Sequence, residues 1–317
     1  MRWSLWSLLA ALTLVAPAYG QQVMEPSYSH ENPAAAEGIQ QVGYFNNALS
    51  DCGAPSCEAP ACSDNTCCDE KVMCAPKCRT FYGMVELAIL EPQIGAFSIG
   101  GTQITPDFGN EISPRITLGV ENSEGLGGRI RYWNFDHDAG AIDPGGTGFT
   151  INQSIVAQTL DFETTQSVEF RKWQLQAFGG FRYANMKYSI GFGTPIVGLS
   201  GDLDVKFEGL GPTIGANVLR PLGTGKFSLY GGGRGSLIFG DTRLGGTGVV
   251  GALVNPANIR VDEHSLQIFE INMGVQYGHG PLFARVGYEA QVWDMGLPLI
   301  NFDLGFSGPV FAIGFIR

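Results

Sequence analysis

From Arg79 to Arg317 apolar and polar residues alternate along successive segments, and the connections between segments are by turns long and short. A period of two marks strands with two unlike faces, and the long–short rhythm is that of a transmembrane β-barrel. Long connections are expected at 91–112, 136–153, 189–201, 241–261 and 294–300, and short ones at 122–126, 171–172, 220–225 and 278–280. The pattern predicts an all-β fold, an antiparallel transmembrane β-barrel of about ten strands with both ends on one side of the membrane.

A lipid-facing row must be apolar from end to end, and several segments supply one. Phe81, Gly83, Val85, Leu87 and Ile89 keep one parity, with Glu86 on the other; Trp173, Leu175, Ala177, Gly179, Phe181 and Tyr183 stand opposite Gln174, Gln176 and Arg182. Leu282, Ala284, Val286, Tyr288, Ala290 and Val292 form an unbroken row opposite Arg285, Glu289 and Gln291. In the last segment the even-numbered row from Phe302 to Ile316 reads as the lipid face, while Asn301, Asp303, Gly305 and Ser307 begin the other. Parity falters near 209–212 and in the glycines 231–233, where a bulge or kink is expected. Phe81, Phe170, Trp173 and Phe227 beside the short turns, and Trp133, Phe135, Tyr188 and Trp293 beside the long loops, are expected to form two interfacial belts.

A soluble sandwich or lipocalin-like barrel also alternates, but it buries the apolar face in a core and turns its charges outward. Here the polar rows carry charges of both signs that suit a wetted interior: Arg129, Arg131, Asp161, Glu163, Glu169, Arg182, Arg234, Glu270, Arg285 and Glu289. These are the candidate pore-lining residues.

The chain ahead of the barrel changes character twice. Residues 1–20 combine Arg2, an apolar core and Ala18-Tyr19-Gly20, which together read as a signal peptide for export. Residues 21–51 are a flexible polar tether. Residues 52–78 hold all seven cysteines, Cys52, Cys57, Cys62, Cys67, Cys68, Cys74 and Cys78. The envelope outside an inner membrane is oxidising and so short a polar segment makes no core, so disulfides are expected; a metal site is the alternative, disfavoured by the lack of Cys-x-x-Cys. The odd count leaves at least one thiol free or joined to another envelope protein. The barrel itself spans 79–317.

Composition narrows the partners. The net charge is −11, and loss of Arg2 makes it one unit more negative, which leaves no case for nucleic acid. Glycine, at 45 residues of 317, is about twice its usual share, as crowded closing sheets require, and charged residues at 15% are few.

Gly128-Arg129-Ile130-Arg131-Tyr132-Trp133-Asn134-Phe135-Asp136, Gly209-Leu210-Gly211-Pro212-Thr213-Ile214-Gly215 and the run from Leu229 to Gly240, with Gly231-Gly232-Gly233-Arg234-Gly235 at its centre, resemble the signatures of Legionella-type major outer membrane proteins. The resemblance covers the barrel from about Phe81 onward and not the cysteine segment. It implies an outer-membrane, pore-forming barrel that contacts outer-membrane lipid and the barrel-insertion machinery. It implies no cofactor. Such barrels commonly end in an aromatic residue, whereas here Phe315 is followed by Ile316 and Arg317.

Three functions compete. Opposed charges lining a lumen favour a narrow pore or porin-like conduit for small solutes. A barrel of eight to ten strands is nearly filled by its own side chains, which favours a structural barrel anchoring a disulfide-bonded periplasmic segment. A rim-sited lipid-modifying enzyme would need histidine and serine on one strand face, at a spacing of two. His264 and Ser265 are adjacent, and Asp136, His137 and Asp138 read as a solvated turn, so no enzyme and no catalytic residue is expected.

Overall fold

The computed structural model describes residues 79–94, 97–99, 102–104, 108–142, 150–194, 199–247, 259–296 and 301–317. The signal, the tether and every cysteine lie outside the described residues.

Ten antiparallel strands close into a barrel: β1 (Arg79–Ile94), β4 (Glu111–Asn122), β5 (Leu126–Ile142), β6 (Thr150–Phe170), β7 (Trp173–Thr194), β8 (Leu199–Pro221), β9 (Phe227–Thr247), β10 (Ile259–His279), β11 (Leu282–Gly296) and β12 (Asn301–Ile316). A small hairpin, β2 (Phe97–Ile99) with β3 (Thr102–Ile104), sits in the connection after β1. Neighbours in sequence are neighbours in the sheet, and β1 closes the ring by pairing with both β4 and β12. The seam is zipped at its end by reciprocal amide bonds between Phe81 and Arg317, at 2.6 and 2.8 Å.

The short connections are true turns. After β4, the Asn122 side chain accepts from the amides of Glu124 and Leu126 at 3.0 and 2.9 Å, and Gly125 takes the positive φ of 79° that the bend demands. Between β6 and β7 two residues suffice, with Arg171 at φ 58°.

On β5 to β10 parity holds through the lower part of each strand, yet both rows exchange polarity part-way along it. On β7 the outward row is apolar from Trp173 to Tyr183 and then becomes Asn185, Lys187 and Ser189; the inward row is Gln174, Gln176 and Arg182, then Ala184, Met186 and Tyr188. Eleven residues from Trp173 to Tyr183, rising about 3.3 Å each and tilted about 45°, span about 25 Å, the height of a lipid-facing apolar band. The outward side chains of that band are exposed, Ile214 at 72% and Ile313 at 70%. So much exposed apolar surface belongs in hydrocarbon. Beyond it the barrel projects as a second storey with an apolar interior and a polar exterior.

This projection corrects four expectations. Long connections are shorter than polarity suggested, most of all 189–201, where Thr194 already pairs with Leu199 and only 195–198 fall between the strands. What read as loop is strand that has left the lipid. The faltering parity at 209–212 is not a bulge, because the β8–β9 register runs through from Leu210↔Phe239 to Thr213↔Ser236; it is the exchange of polarity itself. Register shifts occur instead between Ala139 and Ile142 and between Val261 and His264. On β12 the even row turns inward, with Leu304, Phe306, Val310 and Ala312 buried, and Phe311, Ile313 and Phe315 form the lipid face. Finally, the lower aromatic belt of Phe81, Phe170, Trp173 and Phe227 is exposed as expected, whereas Trp133, Phe135, Tyr188 and Trp293 point inward and are buried. Trp133 and Phe135 share the parity of Arg129 and Arg131, so an inward arginine row carries them inward too.

Candidate functional site

The interior of the lower storey is where the strands converge their charges. Inward positions on β5, β6, β7, β9 and β10 bring Arg129, Arg131, Asp161, Glu163, Arg182, Arg234 and Glu270 together as one belt, all buried. Arg182 holds Asp161 through two nitrogens, Nε to Oδ1 at 2.6 Å and Nη2 to Oδ2 at 2.9 Å, and donates from Nη1 to Glu270 at 2.5 Å. Arg131 lies 2.9 Å from Glu270 and 3.5 Å from Asp161. Arg234 bonds Asp161 and lies 2.9 Å from Glu163, and Arg129 donates to Glu163 at 2.6 Å. Because β5 and β10 lie far apart around the ring, the Arg131–Glu270 contact crosses the lumen at this height.

A second clamp stands beside the belt. Arg115 on β4 grips Glu289 on β11 with both terminal nitrogens, at 2.6 and 2.5 Å, and lies 3.7 Å from Glu86. Paired in this two-pronged way, a guanidinium and a carboxylate leave water little access.

At and beneath the belt the interior holds two cavities. A chamber of about 80 Å³ is bordered by Glu86, Arg115, Thr117, Arg129 and Arg285. Nitrogens or oxygens of Arg115, Thr117 and Arg129 without a protein hydrogen bond border it, and its volume suits two or three waters at about 30 Å³ each. A wider mouth of about 500 Å³ opens below, between the β8–β9 and β10–β11 turns. Aromatic rings narrow the passage: Phe178 lies under Arg129 and Arg234 at 4.2 and 4.9 Å, and Arg285 rests on Tyr230 and Phe283 at 5.0 and 4.9 Å. Phe178 fits because its cross-strand partner is Gly215, where a Cβ would meet the ring at 2.4 Å.

Above the belt the interior is apolar. Trp133 meets Trp293 and Phe306 at centroid distances of 5.7 Å each, and Phe135 meets Phe306 edge-on at 4.8 Å. Ile155, Met186, Phe207, Ile238 and Ile268 complete the core.

The sequence model of one family matches residues 129–314, more than half of the chain; it describes the Legionella pneumophila major outer membrane protein precursor. The chain belongs to this family. It is an outer-membrane β-barrel, and its exposed apolar band lies in outer-membrane lipid. No curated protein sequence matches it. Among solved structures it is similar to the Escherichia coli outer membrane protease OmpT (TM-score 0.49, 10% identity, covering 75% of this chain and 96% of that one). It is also similar to the translocator domain of the Neisseria meningitidis autotransporter NalP (0.38, 12%, 75% and 88%). A third is the Pseudomonas putida toluene transporter TodX (0.33, 7%, 77% and 90%).

In this outer-membrane protein all ten residues expected to line a pore face inward, though not as one group. Eight are buried, seven of them in the belt and Glu289 in the clamp; Glu169, which accepts from Gln174 at 3.0 Å, and Arg285, which donates to Gln276 at 2.7 Å, lie lower and half-buried. Arg115 and Glu86 were not among the candidates. Arg115 was discoverable, because Ser113, Arg115 and Thr117 alternate with Ile112, Ile116 and Leu118. The expected solvated turn at 136–138 is strand: Asp136 and Asp138 face outward, and His137 turns in to Glu111 at 2.9 Å and to the Phe108 carbonyl. Ser265 is offset to the opposite face from His264, and among the described residues no histidine bonds a serine and no cluster suits a metal.

Proposed function

We propose that this family member is a narrow, porin-like conduit for small solutes, controlled at the ion-pair belt, and that it is not an enzyme. The carrying observation is the 80 Å³ chamber walled by Arg115, Arg129 and Arg234, with the 500 Å³ mouth between the short turns meeting it at Phe283. Charged groups facing water in a half-channel bias which solutes approach. A second reading, a filled structural barrel, is supported by the complete burial of Asp161 and Arg182 beneath the Trp133–Trp293–Phe306 stack. Reconstitution in planar bilayers separates the two. The conduit reading expects discrete conductance steps from the wild-type barrel and altered ion selectivity in Arg285→Gln. Silence from wild type and from an Arg182→Gln/Glu270→Gln variant overturns it in favour of the filled barrel.

Sidedness and partners belong to the same proposal. The short turns face the periplasm, as in other bacterial barrels, and β1 starts at that end, which makes the cysteine segment at 52–78 periplasmic and disulfide-bonded. At least one cysteine is left without an intramolecular partner, as a free thiol or a link to a second envelope protein, and the barrel-insertion machinery is a further partner. Labelling of reduced, intact cells with an impermeant thiol reagent is expected to fail; strong labelling overturns this topology.

A further inference from the structure

Three cations occupy one row on the outside of the barrel wall. Lys187 on β7 is the direct cross-strand partner of Lys206 on β8, and Lys206 is that of Arg243 on β9. All three share the outward parity of Phe181, Leu210 and Phe239. Like charges directly opposite on neighbouring strands repel, so such a row weakens the sheet unless something anionic lies across it. Asp204 and Glu208 on β8 and Asp241 on β9 share this outward face and flank the row. Lys187 reaches Asp204 only at 3.9 Å, and Lys206 and Arg243 form no ion pair among the described residues. The nearby carboxylate of Glu208 is engaged by the Tyr183 hydroxyl at 2.8 Å.

The row also has a definite height. Lys187 lies four residues past Tyr183, the last apolar or aromatic outward residue on β7, which is about 13 Å along the strand and about 9 Å along the membrane normal at a 45° tilt. The head-group layer extends about 5–8 Å past the hydrocarbon, and long basic side chains lean back toward it over their own apolar stems. A groove of about 770 Å³ runs down this face from Lys187, Lys206 and Arg243, past the carboxylates of Glu208 and Asp241, to Tyr183, Leu210 and Phe239. That is the profile of a lipid, with the head at the cations and chains against the band. Two inter-strand gaps set the outer cations about 10 Å apart, wide enough for a head group carrying more than one phosphate.

We propose that this groove binds a multiply phosphorylated glycolipid of the outer leaflet, with its phosphates on Lys187, Lys206 and Arg243. Placement in the outer leaflet rests on the sidedness proposed above; the binding chemistry does not, and measurement in micelles tests it alone. The refolded full-length barrel is titrated with bisphosphorylated lipid A, with the same lipid enzymatically dephosphorylated, and with inorganic phosphate, and bound lipid is counted by native mass spectrometry. Wild type is expected to hold one bisphosphorylated lipid at least tenfold more tightly than the dephosphorylated one. Lys187→Gln/Lys206→Gln/Arg243→Gln is expected to abolish that difference, and millimolar phosphate is expected not to displace the lipid. The three side chains lie outside the wall, so folding, read by heat-dependent gel migration, is expected to survive; should the triple variant not fold, Lys206→Gln alone carries the test with a loss of threefold or more. Binding within twofold of wild type in the folded variant overturns the site, and displacement by inorganic phosphate reduces it to a free-anion site and overturns the lipid.

Discussion

Arg182→Met tests whether the belt is as dry as its geometry implies. The side chain is completely buried and donates three short hydrogen bonds to two carboxylates that are themselves buried. Bonds to charged groups contribute about 1.5–3 kcal/mol each, which would sum to about 4.5–9 kcal/mol if nothing compensated. Compensation exists: Asp161 keeps Arg234 and Arg131, and Glu270 keeps Arg131 at 2.9 Å. The cost is therefore expected near that of breaking one buried pair, about 3–5 kcal/mol. Methionine retains the stem volume, so cavity formation adds little. Urea unfolding of the refolded barrel in lipid vesicles, followed by tryptophan fluorescence, measures it. Asp161→Asn closes a double-mutant cycle with an expected coupling of about 1–3 kcal/mol. A cost below about 1 kcal/mol with negligible coupling is the value of a solvent-screened pair. That result would mean water fills the belt and the lumen is open, and the dry-belt reasoning would fail.

Val286 is 50% exposed on the lipid face and pairs with Phe311, so Val286→Arg is expected to cost about 2–4 kcal/mol of folding stability in vesicles; wild-type stability would invert the face assignment of β11. Its neighbour Arg285, inward and half-buried over two rings, is expected to tolerate Gln with little loss of stability in the same assay. Trp133→Ala removes the centre of the upper aromatic stack and is expected to cost about 3–5 kcal/mol while leaving vesicle insertion intact; loss of insertion with unchanged stability would return Trp133 to a lipid belt.

Much of this was legible from parity alone. Trp133 stands two residues past Arg131, Trp293 two past Gln291, and Tyr188 an even six past Arg182, so an inward polar residue fixes an inward ring on the same strand. Treating these rings as belt residues by their nearness to loops overlooked that constraint. Register was legible where turns are short. The two-residue turn at 171–172 pairs Phe170 with Trp173, and counting back places Asp161 opposite Arg182, the best-bonded pair in the belt. Across long connections the count is lost. The shift between Ala139 and Ile142 hides the Arg131–Asp161 alignment, and the Arg131–Glu270 contact depends on closure of the whole ring. The cation row was equally hidden, since its members sit on three strands and only register makes them neighbours.

The two readings weighed against each other from sequence, a membrane barrel and a soluble one, are both physically satisfied in this chain, one above the other. A strand cannot change which side its odd residues face without a bulge, but it can change what those residues are. From Tyr132 through Leu160, Tyr183 and Leu210 to Phe239, five strands carry apolar or aromatic outward residues on one row of cross-strand partners; the next outward row is Asn134, Gln158, Asn185, Glu208 and Asp241. Below this boundary the exterior solvent is hydrocarbon, and the interior gathers the charges that lipid excludes. Above it the exterior is water, and the interior can be an ordinary apolar core. The belt of ion pairs therefore sits under a hydrophobic lid made by the same strands. Any path for solute must pass both, and the Trp133–Trp293–Phe306 stack is as much a part of the barrier as Arg182 and Asp161.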